Sequence, residues 1–131
     1  MKKNENITVL VVDDDGILRK SIATNLKLED FNVFSASNGT EAIEIVKSNQ
    51  IDFVLSDIRM PGIDGVKLLE KIRDYDAALP AVVLMSGFSE YSKEEVVSKG
   101  ALDLILKPFD VDRIVKLIQR SVNAPEPVNH N

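Results

Sequence analysis

Four short apolar runs of strand character recur along this chain, and each stops abruptly at a residue able to do chemistry. Ile7-Thr8-Val9-Leu10-Val11-Val12 runs into Asp13-Asp14-Asp15-Gly16, and Phe53-Val54-Leu55 runs through Ser56 into Asp57. Ala81-Val82-Val83-Leu84-Met85 ends in Ser86-Gly87, and Leu102 to Leu106 ends in Lys107-Pro108-Phe109. Runs that are apolar almost throughout, as opposed to alternating, mark strands covered on both faces, the arrangement of a parallel sheet. Asn32-Val33-Phe34-Ser35-Ala36 is a further, less apolar strand, second in chain order.

Between the strands, apolar residues fall at helical spacing: Leu18, Ile22 and Leu26; Ala42, Ile45 and Val46; Val66, Leu69 and Ile72; Val111, Ile114, Ile118 and Val122. The helix predicted near Tyr91 to Lys99 has only Val96 and Val97 as aliphatic residues, so it should dock loosely. Five strands alternating with five helices predict a doubly wound α/β fold with right-handed crossovers. Residues 1–6 read as an N-terminal tail, 7–123 as the folded unit, and 124–131 as a flexible tail or the start of a linker.

Composition removes several classes of function. No cysteine is present, which excludes disulfides, thiolate metal sites and cysteine catalysis. No run approaches the roughly 18 apolar residues of a membrane span, and the N-terminus has no secretory signal, so a cytoplasmic protein without membrane contact is expected. A net charge of -5 argues against a nucleic-acid surface on this chain and for protein partners. His130, the single histidine, lies in the tail, which excludes a phosphohistidine domain built on the core.

In a parallel sheet all carboxyl-terminal strand ends open on one edge, where ligands bind in doubly wound folds. Asp13 and Asp14, Asp57, Ser86 and Lys107 are therefore expected together. Three carboxylates there repel, at a cost on the order of 4 kcal/mol per pair at about 4 Å and an effective dielectric near 20. Lys107 offsets part of this. A hard divalent cation, Mg2+ or alternatively Mn2+, would offset the rest. A carboxylate beside such a cation and an ammonium is poised to attack phosphorus, because both neutralise the transferring phosphoryl oxygens. The product would be an acyl phosphate on Asp57.

The combination Val11-Val12-Asp13-Asp14, Asp57-Ile58-Arg59-Met60-Pro61-Gly62, Ser86-Gly87 and Lys107-Pro108-Phe109 resembles the receiver domain of two-component response regulators, over essentially residues 7 to 122. The resemblance implies a flavodoxin-like three-layer α/β/α fold with strand order 2-1-3-4-5. It implies Asp57 as phosphoacceptor, Asp13, Asp14, Asp57 and the Arg59 backbone carbonyl as Mg2+ ligands, Ser86 as the switch hydroxyl and Lys107 as the phosphoryl salt-bridge partner. The implied partners are a sensor histidine kinase or phosphotransfer protein and a downstream protein or output domain engaged through the fourth helix, fifth strand and fifth helix; a homodimer is left open. Such a chain is a signalling module that promotes only its own phosphorylation and dephosphorylation. One position departs from the family pattern: Leu104 stands three residues before Lys107, where receivers commonly carry an aromatic switch residue.

Other readings compete for the same residues. Asp15 reads best as a helix N-cap. Arg59 is either a solvated loop residue or a screen for the acyl phosphate. Asp13-Asp14-Asp15-Gly16 also fits the Asp-x-Asp-Gly opening of haloacid-dehalogenase-type phosphatases, with Asp13 as nucleophile and Asp15 as acid, but that reading leaves Asp57 without a role. A non-phosphorylated adaptor on the same fold is a third reading.

Overall fold

A computed structural model describes residues 2–87 and 91–123 of the chain. The parallel strands are β1 (Thr8–Val12), β2 (Asn32–Ala36), β3 (Phe53–Asp57), β4 (Ala81–Ser86) and β5 (Asp103–Leu106), in the order β2-β1-β3-β4-β5. The helices are α1 (Gly16–Leu28), α2 (Gly39–Ser48), α3 (Gly65–Tyr75), α4 (Lys93–Ser98) and α5 (Val111–Asn123). This is the doubly wound α/β architecture the alternation predicts.

Each central strand sends alternate side chains into two separate cores, which is why its sequence is apolar throughout. Leu10, Val12, Val54, Val82 and Leu84 pack with residues of α2, α3 and α4 on one face. Val9, Val11, Leu55, Val83, Met85 and Ile105 pack with Ile22 and Leu26 of α1 and Ile114 and Ile118 of α5 on the other.

Several local details differ from the sequence expectation. Ile43, not Ile45, joins Ala42 and Val46 in the buried stripe of α2. Helix α4 begins at Lys93, two residues later than Tyr91, because Ser92 forms a reciprocal capping box with Glu95. Only Val96 of its two valines is buried; Val97 is exposed. Residues assigned to an N-terminal tail are in fact tied down. Asn4–Asn6 form a 3-10 turn, the Asn4 amide donates to the Glu29 carbonyl at 2.8 Å, and Lys2 pairs with Asp52 at 3.0 Å.

The α4 end of the sheet is anchored unevenly. Arg73 of α3 donates from Nε to the Gly100 carbonyl at 3.0 Å and from Nη2 to the Pro80 carbonyl at 2.7 Å, tying down the turn after α4. At the other end of α4, Lys93 pairs with Asp103 at 3.4 Å. Asp103 Oδ1 also accepts the backbone N–H of Leu104 at 2.8 Å, so this side chain occupies a donor of the edge strand β5.

Two glycines shape the loop after β3. Gly62 has φ +80, in the left-handed region that glycine enters at no steric cost, and this turns the chain directly after Pro61. Gly65, the first residue of α3, lies against the backbone of β3: a Cβ there would collide with the Asp57 carbonyl and sit 2.9 Å from Ile58 Cα. Its N–H donates to the Ile58 carbonyl at 2.8 Å. Glycine thus lets α3 abut the strand end that carries Asp57. Gly65→Ala is expected to destabilise the fold by roughly 1–3 kcal/mol, as overpacking against backbone does; urea unfolding would measure it as a lower midpoint.

Candidate functional site

Sheet register sets the height of each functional group. Val12 is the last β1 residue paired with both Ala36 of β2 and Ser56 of β3, so Asp13 and Asp57 are each the next residue along adjacent strands. Asp57 is level with Met85, and Ser86 is level with Leu106, which places Lys107 one step beyond on β5. The Lys107 N–H donates to the Ser86 carbonyl at 2.8 Å, continuing the β4–β5 pairing to the residue that matters.

The expected acids come together. Asp13, Asp14 and Asp57 each offer a carboxylate oxygen, all within 4.8 Å of one another. Asp13 is fully buried and Asp57 is nearly so, whereas Asp14 is exposed and forms the solvent side of the cluster. Lys107 Nζ reaches across β4 to Asp57 Oδ2 at 3.3 Å and to Asp13 Oδ2 at 3.4 Å. Asp13 Oδ1 accepts the Asp15 N–H at 2.9 Å. The two oxygens of Asp13 are thereby fixed by different groups.

The electrostatics of this corner are unfavourable to a bare Asp13 carboxylate. Burial pushes the Asp13 pKa above the usual carboxylate value; the Asp15 amide and Lys107 pull it back, and the neighbouring Asp57 charge pushes it up again. Among the described contacts, three acids face the one ammonium of Lys107 and present hard oxygen donors on one open side. That donor set suits a hard divalent cation that keeps part of its water shell. The open side leads into a depression of about 430 Å3 lined by Asp14, Ile58, Arg59, Met60, Pro61 and Asp64. Arg59, whose backbone carbonyl the resemblance implies as a ligand, is part of that rim and is exposed.

Asp15 stands outside the acidic cluster. Its Oδ1 accepts the N–H groups of Ile17 and Leu18 at 3.1 and 3.2 Å, capping α1 as expected. The phosphatase reading needs this carboxyl as a proton donor beside Asp13, and the capping role opposes it. Ser86 is buried at the end of β4. The loop that follows it continues into Phe88 and Ser89, which lie outside the described residues, as does the 124–131 segment with His130. Leu104 is partly buried and packs on the same core as Val96 of α4.

Two supporting groups escaped the sequence reading. Arg19 Nη1 donates to the Asp13 backbone carbonyl at 2.6 Å, and Ser56 Oγ donates to the Asp57 backbone carbonyl at 2.9 Å. Both bond to main chain, whose demands leave no mark in side-chain spacing. The only available signal for Arg19 was its place in the first turns of α1, directly after the acids.

With this geometry in place, comparison with known proteins is decisive. Residues 9–119 match the response regulator receiver domain. The chain belongs to that family. It is the receiver domain of a two-component response regulator. It is 38% identical over 125 residues to the C4-dicarboxylate transport transcriptional regulatory protein DctD of Rhizobium meliloti, covering 95% of this chain and 27% of that protein. It is 35% identical over 115 residues to the DNA-binding transcriptional regulator NtrC of Escherichia coli K12, covering 88% of this chain and 24% of NtrC. The chain thus spans about a quarter of the length of the curated relatives it matches. Among solved structures, a chain of the CheX-CheY-BeF3-Mg2+ complex from Borrelia burgdorferi is similar at a TM-score of 0.80 and 31% identity, over 89% of each chain.

Because an ionised Asp13 is opposed by burial and by Asp57, its stabilising contribution is full below the ordinary carboxylate pKa and is lost as pH rises through the elevated one. Asp13→Asn is therefore expected to raise the thermal unfolding midpoint at pH 7 in EDTA, with the gain shrinking as pH is lowered. Added Mg2+ should raise the midpoint of the unsubstituted protein and leave that of Asp13→Asn almost unmoved. Calorimetry across pH, with and without the cation, checks both.

Proposed function

We propose that this receiver takes a phosphoryl group onto a carboxylate oxygen of Asp57, from a phosphohistidine of a sensor histidine kinase or phosphotransfer protein or from a small phosphodonor. The new bond is O–P; the P–N bond to the donor histidine breaks, and its electron pair returns to the imidazole. The observation that carries this reading is the cluster itself: three carboxylates within 4.8 Å, of which Asp14 lines a depression and Asp13 and Asp57 share the Lys107 ammonium.

Asp13, Asp14 and Asp57 would hold Mg2+, with the Arg59 carbonyl as a further ligand. When bound, the cation supplies neutralisation of charge on the transferring oxygens. Lys107, already against Asp57, supplies the second positive charge. Ser86 is the hydroxyl that turns to the phosphoryl group, at the start of the loop leading to α4. The receiver unit is residues 7–123. Its output runs through α4, β5 and α5, without an aromatic rotamer switch, since position 104 is leucine.

The module is a signalling domain that assists only its own phosphorylation and dephosphorylation, works in the cytoplasm, and passes its state to a protein partner, an output domain or a second copy. None of the described helices is long and apolar enough to cross a membrane. The net charge of -5 concerns this chain's own surface; NtrC is named as DNA-binding, so the absence of a nucleic-acid partner is proposed for the receiver alone.

Incubation with acetyl phosphate and Mg2+, followed by intact mass measurement, tests the assignment. One hydroxylamine-labile phosphoryl adduct is expected on the unsubstituted protein, falling to background in Asp57→Asn and without Mg2+. A hydroxylamine-labile adduct retained in Asp57→Asn would overturn the role of Asp57. Sustained turnover of a phosphomonoester that survives Asp57→Asn and is lost in Asp15→Asn would instead establish the phosphatase.

A further inference from the structure

The acidic pair Asp13-Asp14 sits where β1 has run out of sheet. Asp13 N–H still donates to the Ala36 carbonyl at 3.2 Å, but Val12 is the last β1 residue in register with β3. The carbonyl of Asp13 is therefore a main-chain acceptor at a fully buried residue just past the ladder, and such a group requires a donor. Arg19 provides it, at 2.6 Å, from the second turn of α1. A guanidinium is charged at every accessible pH, and a charged donor makes this a short, strong bond.

The position of that carbonyl matters. It belongs to the planar peptide unit that joins Asp13 to Asp14, so fixing its direction fixes the plane from which the two acidic side chains diverge. Asp13's carboxylate is independently held by the Asp15 N–H and Lys107. Asp14, exposed on the solvent side, has its relation to Asp13 set through the peptide that Arg19 grips.

We propose that Arg19 is a positioning residue for the cation site: by holding the Asp13 carbonyl it orients Asp13 and Asp14 as a pair for a divalent cation. This rests on the reading of the acidic cluster as a Mg2+ site. The class of ligand is a hard divalent cation, and the effect is on its affinity, ahead of any phosphoryl transfer.

The test is direct binding of Mg2+ by isothermal titration calorimetry to the whole chain, in the unsubstituted protein, Arg19→Gln and Arg19→Lys, with Asp13→Asn as the control without a site. Circular dichroism and thermal unfolding in EDTA establish that each variant is folded at the titration temperature, so that lost stability is not read as lost affinity. Arg19→Gln is expected to weaken Mg2+ binding by about tenfold or more, the usual cost of removing a group that orients metal ligands. Arg19→Lys, keeping the charge and a donor, is expected to fall between. Should the glutamine variant not fold, the lysine variant carries the test with a loss of several-fold. A folded variant whose affinity changes by less than about twofold would overturn the proposal while leaving the metal site intact. Failure of the unsubstituted protein to bind Mg2+ would overturn the metal reading and this proposal with it.

Discussion

Like charges at the carboxyl edge of the sheet are the constraint to which the rest of the structure answers. Asp13 and Asp57 end neighbouring strands in the interior of the molecule, and Asp14 follows immediately, so the fold concentrates repulsion where burial makes it most costly. Lys107 opposes it from the far side of β4, bonding to both buried carboxylates and thereby linking β1, β3 and β5 across their tips. Two further donors complete the balance: the Asp15 main-chain amide on the Asp13 carboxylate, and the Arg19 guanidinium on the Asp13 carbonyl. The corner is held together but kept short of positive charge. The proposed cation would offset that deficit.

This balance also bounds the size of the signal. Moving a two-state element from 1:99 to 99:1 takes about 5.5 kcal/mol of preference for one state. A phosphoryl group adds about -1.5 to -2 charges and three acceptor oxygens, worth a few charge-assisted bonds. In the proposed relay those bonds would act on α4. Helix α4 has six residues and a single buried aliphatic side chain.

Much of this architecture was legible in the chain because the physics that builds it leaves period and composition behind. Apolar runs such as Val9 to Val12 read as doubly covered strands, and Asp13, Asp57 and Lys107 stood at their ends because a parallel sheet gathers such ends on one edge. The strand order, by contrast, came from the family resemblance and not from the pattern. What escaped was whatever depends on main chain or on competition between near neighbours. Ile43 is buried where Ile45 is only partly so because the two isoleucines, separated by Glu44, flank opposite sides of the Ala42–Val46 stripe. Ser56 and Arg19 act on carbonyl oxygens, and Gly65 acts by having no side chain at all. The N-terminal segment looked like a tail because its tethers, Lys2 to Asp52 and Asn4 to Glu29, join residues far apart in sequence.

The tie between Arg73 and the turn after α4 gives the relay a geometry. Gly100 is held through its carbonyl, and the Leu102 N–H is paired with Val82 at 2.7 Å, so the carboxyl-terminal end of α4 is bolted to α3 and to the sheet. Among the described residues, the amino-terminal end is tied by the ion pair between exposed Lys93 and Asp103. In the proposed relay, a helix fastened in this way would pivot about Gly100. Displacement would be smallest at Gly100 and grow toward Ser92, which caps the helix. A partner reading this face would sense the tilt of a short rod, with the greatest change at its capped amino-terminal tip.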